Sequence, residues 1–304
     1  MNRYEFEVLC FFEEHGEKTC TLQELSDTLR ISKSAIDKAI ERLISGALMT
    51  RNGMALKISE EGKMALEPYR AKRAIIVGAG MGTRMMPATA DRPKPMVFVN
   101  GTRIIDTLID ALAAVGIKDI IVVGGYRFEV MEKELPEKYP FLRLLENKKY
   151  SAENNISSAL LAKEYFRGGC YFCEADVLVR NPEIIRKYHY NTDILGSWSL
   201  ETDDWCFTSD NGMLADYKKG GTHCYNYYGI SYWSDKDSAE LRKDWEELYE
   251  TPDGKELFWE FPAFMIRKEK YKVEIRPCEK TDVMEIDNFS ELVLLDNSYS
   301  GINQ

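Results

Sequence analysis

From Ala71 onward, short apolar runs alternate with amphipathic segments, and no other feature restricts the possible folds as much. "RAIIVGAG" reads as a buried strand running into glycines, and "IIDTLIDALAAVG" as a helix with one apolar face. "KDIIVVGGY" is a second strand stopped by glycine, and "FEVMEKELPEKY" is helical. "LRLLENKKY" is extended, "NISSALLAKEYF" helical, and "CYFCEADVLV" apolar enough for a central strand. A β-α-β-α-β-α-β order forces crossover helices onto the faces of a mostly parallel sheet, so the class is α/β, Rossmann-like. Beyond about residue 192 the chain turns β-rich and aromatic: "DILGSWSLE", "DWCFTSD", "GMLADYKKG" and "CYNYYGISYWS". Helices near Asp235–Glu250 and Lys255–Ile266 come next, then a strand "VEIRPCE" and "VMEIDNFSELVLLD".

Residues 1–70 have a different pattern. A helix covers about 2–15. "TLQELSDTLR" opens on Thr21 with Glu24 at the capping-box position, and "SKSAIDKAIERLISGAL" carries its apolar residues at helical spacing. "LMTRNGMALKIS" places the turn pair Asn52-Gly53 between two extended runs. Helix, helix-turn-helix and hairpin in that order predict a small winged-helix domain over 1–70, preceding a domain over 71–304. Its charges are nearly balanced, with 10 Lys+Arg against 12 Asp+Glu. Lys33, Ser34, Lys38, Arg42 and Arg51 could meet phosphates, but readers of DNA present a clearly basic face. A regulatory or dimerising role is therefore preferred over DNA binding, with a homodimer left open.

The formal net charge of −10 argues against general coating of nucleic acid but permits a local phosphate pocket that recruits a divalent cation. Seven scattered cysteines suggest no disulfide framework, and Cys170 and Cys173 read as small buried residues on a strand. No apolar run is long enough to span a membrane, and acidic residues interrupt the first apolar stretch, which argues against a signal peptide. A cytoplasmic location is the expectation.

The glycines of "VGAGMGTRMMPATADRPKPMV" suit neither of two familiar phosphate loops. A P-loop needs Gly-Lys-Ser/Thr after four residues, and a dinucleotide fingerprint needs G-x-G-x-x-G with an acidic end to the second strand. The residues after the glycines are more specific. Gly78-x-Gly80-x-Gly82-Thr83-Arg84, then Pro93-Lys94-Pro95-Met96, resembles the signature loop of nucleotidyltransferases that join a nucleoside triphosphate to a phosphorylated small molecule. Small residues let backbone amides wrap the nucleotide, here Ala79, Gly80, Met81, Gly82 and Thr83. Arg84 can grip the β- and γ-phosphates bidentately, and Lys94, held between prolines, can place a point charge near the α-phosphate.

The resemblance extends over most of the chain after residue 71, and it is strongest to the choline-phosphate cytidylyltransferases of the LicC type. It implies nucleotide contacts from Asn154 and Ser158 in "ENKKYSAENNISSAL" and a catalytic contribution from Lys149. It implies that Asp176 and Asp287 hold a catalytic Mg²⁺. Glu174, Glu285 and Asn288 are weaker candidates; for Glu174 the reason is that Glu174-Ala175-Asp176-Val177 stands where the family often has Asp-x-Asp-Asn. A quaternary ammonium suits aromatic faces beside a carboxylate, and the resemblance implies an acceptor-site pair at Trp259 and Glu260 and a further family tryptophan at Trp205, with Tyr228 an added candidate among the aromatics of this half. CTP and phosphocholine, or another phosphorylated small molecule, are the implied substrates. The rivals are a sugar-1-phosphate nucleotidyltransferase and a winged-helix transcriptional regulator that senses a metabolite.

Overall fold

Side-chain caps set where the first helices begin. In the computed structural model, which describes residues 1–301, α1 (Arg3–His15) starts at Asn2, whose side chain and that of Glu5 form a capping box. The short β1 (Lys18–Thr19) leads to α2 (Leu22–Leu29), capped in the same way by Thr21 and Glu24. Ser32 caps α3 (Lys33–Ser45). β2 (Met49–Asn52) and β3 (Ala55–Ile58) pair around Gly53, whose φ of +59° is the left-handed conformation that glycine adopts without strain. α4 (Glu60–Leu66) closes this unit, whose three-stranded sheet has the order β1-β3-β2. Its core gathers Phe6, Leu9, Phe12, Leu25, Ile36, Ile40, Leu43, Met49 and Leu56. One compact unit comprises Met1–Arg70 with Tyr188–Tyr190, and a second comprises Ala71–Lys187 with the chain from Asn191 onward.

The second unit begins with β4 (Arg73–Gly78), the small hairpin of β5 (Phe98–Val99) and β6 (Thr102–Arg103), and α5 (Ile104–Ala114). β7 (Asp119–Gly124), α6 (Phe128–Lys138), β8 (Arg143–Glu146), α7 (Ile156–Ala162) and β9 (Cys170–Glu174) come next. β10 (Val177–Val179) precedes two long strands, β11 (Asp193–Asp210) and β12 (Met213–Trp233). α8 (Asp235–Tyr249), β13 (Glu274–Cys278), β14 (Val283–Glu285) and α9 (Phe289–Leu295) complete it.

Seven strands form one sheet in the order β11-β13-β12-β9-β4-β7-β8. β9, β4, β7 and β8 run parallel, and β12 is antiparallel to β9. Alternation along β4 and β7 feeds two cores: Ala74, Ile76, Ile120 and Val122 face the α5 side, while Ile75, Val77, Ile121 and Val123 face the α7 side. A sheet buried on both faces therefore needs the near-continuous apolar runs seen in the sequence.

Two local expectations change. The aromatic segments after residue 192 merge into β11 and β12, whose ladder shifts register repeatedly, including between Thr202 and Trp205. The helix expected near Lys255–Ile266 breaks into short turns at Gly254–Glu256 and Pro262–Ile266. Pro262 has no amide hydrogen with which to continue an α-helical ladder.

Candidate active site

β4, β7 and β9 end together at Gly78, Gly124 and Glu174, and in a parallel sheet such carboxyl ends are where ligands bind. A cavity of about 560 Å³ opens there. Gly78 is required by close approach, since a Cβ would lie 2.6 Å from Ala175 Cβ and 2.8 Å from Pro95 Cγ. Gly82 has φ +60°, and its carbonyl accepts a 2.9 Å hydrogen bond from Thr89 Oγ1. These two glycines bring the loop backbone to the cavity, with Ala79, Gly80, Gly82 and Thr83 in its wall.

The charges of the site come from distant segments. Lys94 Nζ donates to Asp176 Oδ2 at 2.9 Å and lies 3.6 Å from Asp287 Oδ1. Arg84 Nη2 meets Asp287 Oδ1 at 2.8 Å. Lys94 is buried; desolvation alone would lower its pKa, but Asp176, Glu285 and Asp287 together hold it above the ordinary lysine value. Burial, Asp176 and Asp287 push the Glu285 carboxyl well above its usual range.

The set could hold a hard divalent cation. Ligand oxygens of Asp204, Glu285 and Asp287 lie within 4.8 Å of one another. Asp176 Oδ1 is buried without a hydrogen-bond partner. An all-oxygen set crowded with carboxylates suits Mg²⁺ or a similar ion.

Below this cluster lies an acidic floor. Glu174 faces the cavity and accepts one hydrogen bond, from Trp259 Nε1 at 3.1 Å. Burial, Asp176 and Glu260 raise its carboxyl well above the ordinary value. Glu260 Oε1 accepts from Tyr217 Oη at 3.0 Å, while Glu260 Oε2 and Tyr227 Oη have no partner. Burial pushes the Glu260 carboxyl up to about 7.

Arg84, Lys94, Asn154, Ser158, Asp176, Trp205 and Asp287 all line the cavity. Met81 is exposed and stands outside the wall. Lys149 also stands outside it; its Nζ donates to Tyr249 Oη at 2.7 Å and lies 3.3 Å from Glu153, which does line the cavity. Trp259, expected at the acceptor, is instead wholly buried with its ring centroid 4.1 Å from that of Phe172. Burying an indole in the aromatic core leaves it no face for a ligand. Glu260 is buried behind it, and Tyr228 is hydrogen-bonded to Ser197 Oγ away from the cavity wall. Asn288 caps α9. Sequence reasoning missed Asp204, Lys219 and Phe258 as wall residues. Only the adjacency of Asp204 to Trp205 offered a signal.

A glycine loop, a buried lysine and facing carboxylates at the carboxyl edge of a parallel sheet define a nucleotide-handling α/β enzyme. The nucleotidyl transferase family profile matches residues 73–197. A 2-aminoethylphosphonate cytidylyltransferase of Lancefieldella rimae is 35% identical over 229 residues, covering 74% of this chain and 92% of the relative. A choline-phosphate cytidylyltransferase of Streptococcus pneumoniae is 30% identical, covering 72% of this chain and 94% of the relative. The solved structure of a CTP:phosphocholine cytidylyltransferase from Streptococcus pneumoniae, LicC, matches with TM-score 0.69 and 27% identity over 75% of this chain and 99% of the other. This chain belongs to the nucleotidyltransferase family, and cytidylyltransferases are among its relatives.

Proposed function

We propose that this chain transfers a cytidylyl group from CTP to an anionic acceptor carrying a primary amine, such as 2-aminoethylphosphonate, with release of pyrophosphate. Cytidylyltransferase relatives on both sides of the acceptor question support the nucleotide. The observation that carries the acceptor is the under-satisfied floor. Glu174 lines the cavity and receives a single donor, from Trp259 Nε1. A primary ammonium brings three N–H donors to such a site, whereas a quaternary ammonium brings none. Phosphocholine is the second reading, favoured by the aromatic faces of Trp205 and Phe258 in the wall.

In this mechanism an acceptor oxygen attacks the α-phosphorus in line and pyrophosphate departs. The attacking oxygen is already anionic near neutral pH, so no general base is required. Amides of Ala79, Gly80, Gly82 and Thr83 cradle the phosphates, and Asn154 and Ser158 face the nucleoside. Lys94 and Arg84 stabilise charge as it moves toward the leaving group. Lys149 acts at one remove by holding Glu153. Asp176 and Asp287, with Glu285 and Asp204 close by, would hold a divalent cation, which would supply positive charge to offset that of the phosphates.

Glu174→Gln tests the acceptor. Its KM for 2-aminoethylphosphonate should rise about 10-fold or more, with the KM for phosphocholine little changed. Equal effects on both acceptors would remove the argument for an amine.

We also propose that residues 1–70 form a winged-helix module that regulates or dimerises the enzyme. Arg42 lies 3.6 Å from Glu5 and Arg51 3.2 Å from Glu41, so two of the basic residues that could meet phosphates already face carboxylates. Tight, salt-sensitive DNA binding in an anisotropy titration would contradict this reading.

A further inference from the structure

Tyr126 follows Gly124 and Gly125 at the end of β7 and stands outside the cavity wall, yet it ties down the loop that forms part of that wall. Its amide donates to the Ala79 carbonyl at 3.0 Å. Its phenol hydroxyl faces the carbonyls of Thr89 at 3.1 Å and Ala90 at 3.3 Å, donating between them. Gly125 permits this approach, since a Cβ there would lie 2.7 Å from the Ala79 carbonyl oxygen and 2.7 Å from Tyr150 Cβ. Arg127 Nη2 brings a second donor to the Ala90 carbonyl at 3.1 Å. Both ends of the segment from Ala79 to Ala90 are thus fastened to the end of β7, the strand paired with β4.

The fastening is passed on toward Arg84. Thr89 is wholly buried, and its hydroxyl donates to the Gly82 carbonyl at 2.9 Å. The same carbonyl accepts from the Met85 amide at 3.0 Å, which closes the turn Thr83–Met85 that carries Arg84. Met85 is buried in an apolar cluster with Ile286 and Phe289, so sliding this turn would open a core. The Arg84 side chain is itself exposed, and the turn beneath it sets where its guanidinium can reach. A loop ordered before substrate arrives loses less entropy on binding.

We propose that Tyr126 is a positioning residue for the nucleotide: through Thr89 and Gly82 it holds the glycine loop in the shape that presents Arg84 to the β- and γ-phosphates. The inference rests on CTP as the nucleotide and on Arg84 meeting its leaving phosphates, as proposed above. Tyr126 acts at one remove, without touching nucleotide or acceptor. Its effect therefore falls on the terminal phosphates. The nucleoside is faced by Asn154 and Ser158, from another part of the chain, and is held as before.

The test is a calorimetric titration of the full chain with Mg²⁺, comparing the α,β-methylene analogue of CTP with CMP, which lacks the β- and γ-phosphates. Tyr126→Phe keeps the ring and the backbone amide and removes only the hydroxyl. It should bind the triphosphate analogue about 10-fold more weakly and CMP within about twofold of wild type. Thr89→Val interrupts the same chain of hydrogen bonds one link further on and should show the same split. Because the two act in series, the double variant should be no more than about twofold weaker than the weaker single variant. Retained CMP affinity also shows that each variant is folded. Equal loss of both ligands, no loss of either, or fully additive losses would each overturn the proposal. If wild type instead favours the analogue of another base, CTP is the wrong nucleotide. The triphosphate-to-monophosphate comparison for that base then decides the role of Tyr126.

Discussion

Lys94 Nζ lies 2.9 Å from Asp176 Oδ2 and 3.6 Å from Asp287 Oδ1, so one buried ammonium joins the glycine-loop segment to both acidic motifs. A charge held this way is already oriented before substrate arrives, and little rearrangement is required when negative charge grows on the phosphates.

Lys94→Ala should therefore lose about 10²- to 10³-fold in kcat, measured by pyrophosphate release, with its far-ultraviolet circular dichroism unchanged. Near-normal turnover would remove Lys94 from the mechanism.

Chelation with EDTA should abolish turnover, and Mg²⁺ should restore it. Asp287→Asn weakens the cation site and also frees Arg84, its 2.8 Å partner. The Mg²⁺ concentration for half-maximal rate should rise about 10-fold or more. An unchanged Mg²⁺ dependence would exclude Asp287 as a ligand.

The strand-to-loop junction at Gly78 is legible in the sequence because β4 is an unbroken apolar run and the glycines, arginine and Pro-Lys-Pro after it sit close together along the chain. Asp176 is legible for the same reason, since it comes just after the central strand β9. Trp259 is not. Its neighbour Glu260 suggests a ligand pair, but local sequence does not say which aromatic faces Phe172 and Trp245 and which faces the cavity. Asp204 and Lys219 reach the wall through the bulged pairing of β11 with β12, a long-range register that no local pattern encodes.

The two tryptophans should separate in experiment. Trp259→Ala removes a fully buried indole and should cost about 3–5 kcal/mol in denaturant unfolding. Trp205→Ala lies in the cavity wall and should chiefly raise the KM for the acceptor. A stable Trp259→Ala with only a KM defect would return Trp259 to the acceptor site.

Glu260 sets a pH dependence of stability. Its carboxyl is raised from the ordinary 4.5 to about 7 by burial, so between these values the folded chain keeps a proton that the unfolded chain releases. Its contribution to stability is thus intact below about pH 4.5, falls as pH rises, and is lost above about pH 7. Glu260→Gln should flatten this part of a melting-temperature profile. An identical slope in the variant would show that another group titrates there.

The central claim, cytidylyl transfer to an aminoalkyl phosphonate or phosphate, is tested most directly by one pyrophosphate-release screen. Four nucleoside triphosphates are crossed with 2-aminoethylphosphonate, phosphoethanolamine, phosphocholine and several sugar 1-phosphates. The site and the relatives lead us to expect turnover with CTP, highest for an acceptor with a primary amine. Turnover confined to a sugar 1-phosphate, or to a triphosphate other than CTP, would contradict that claim.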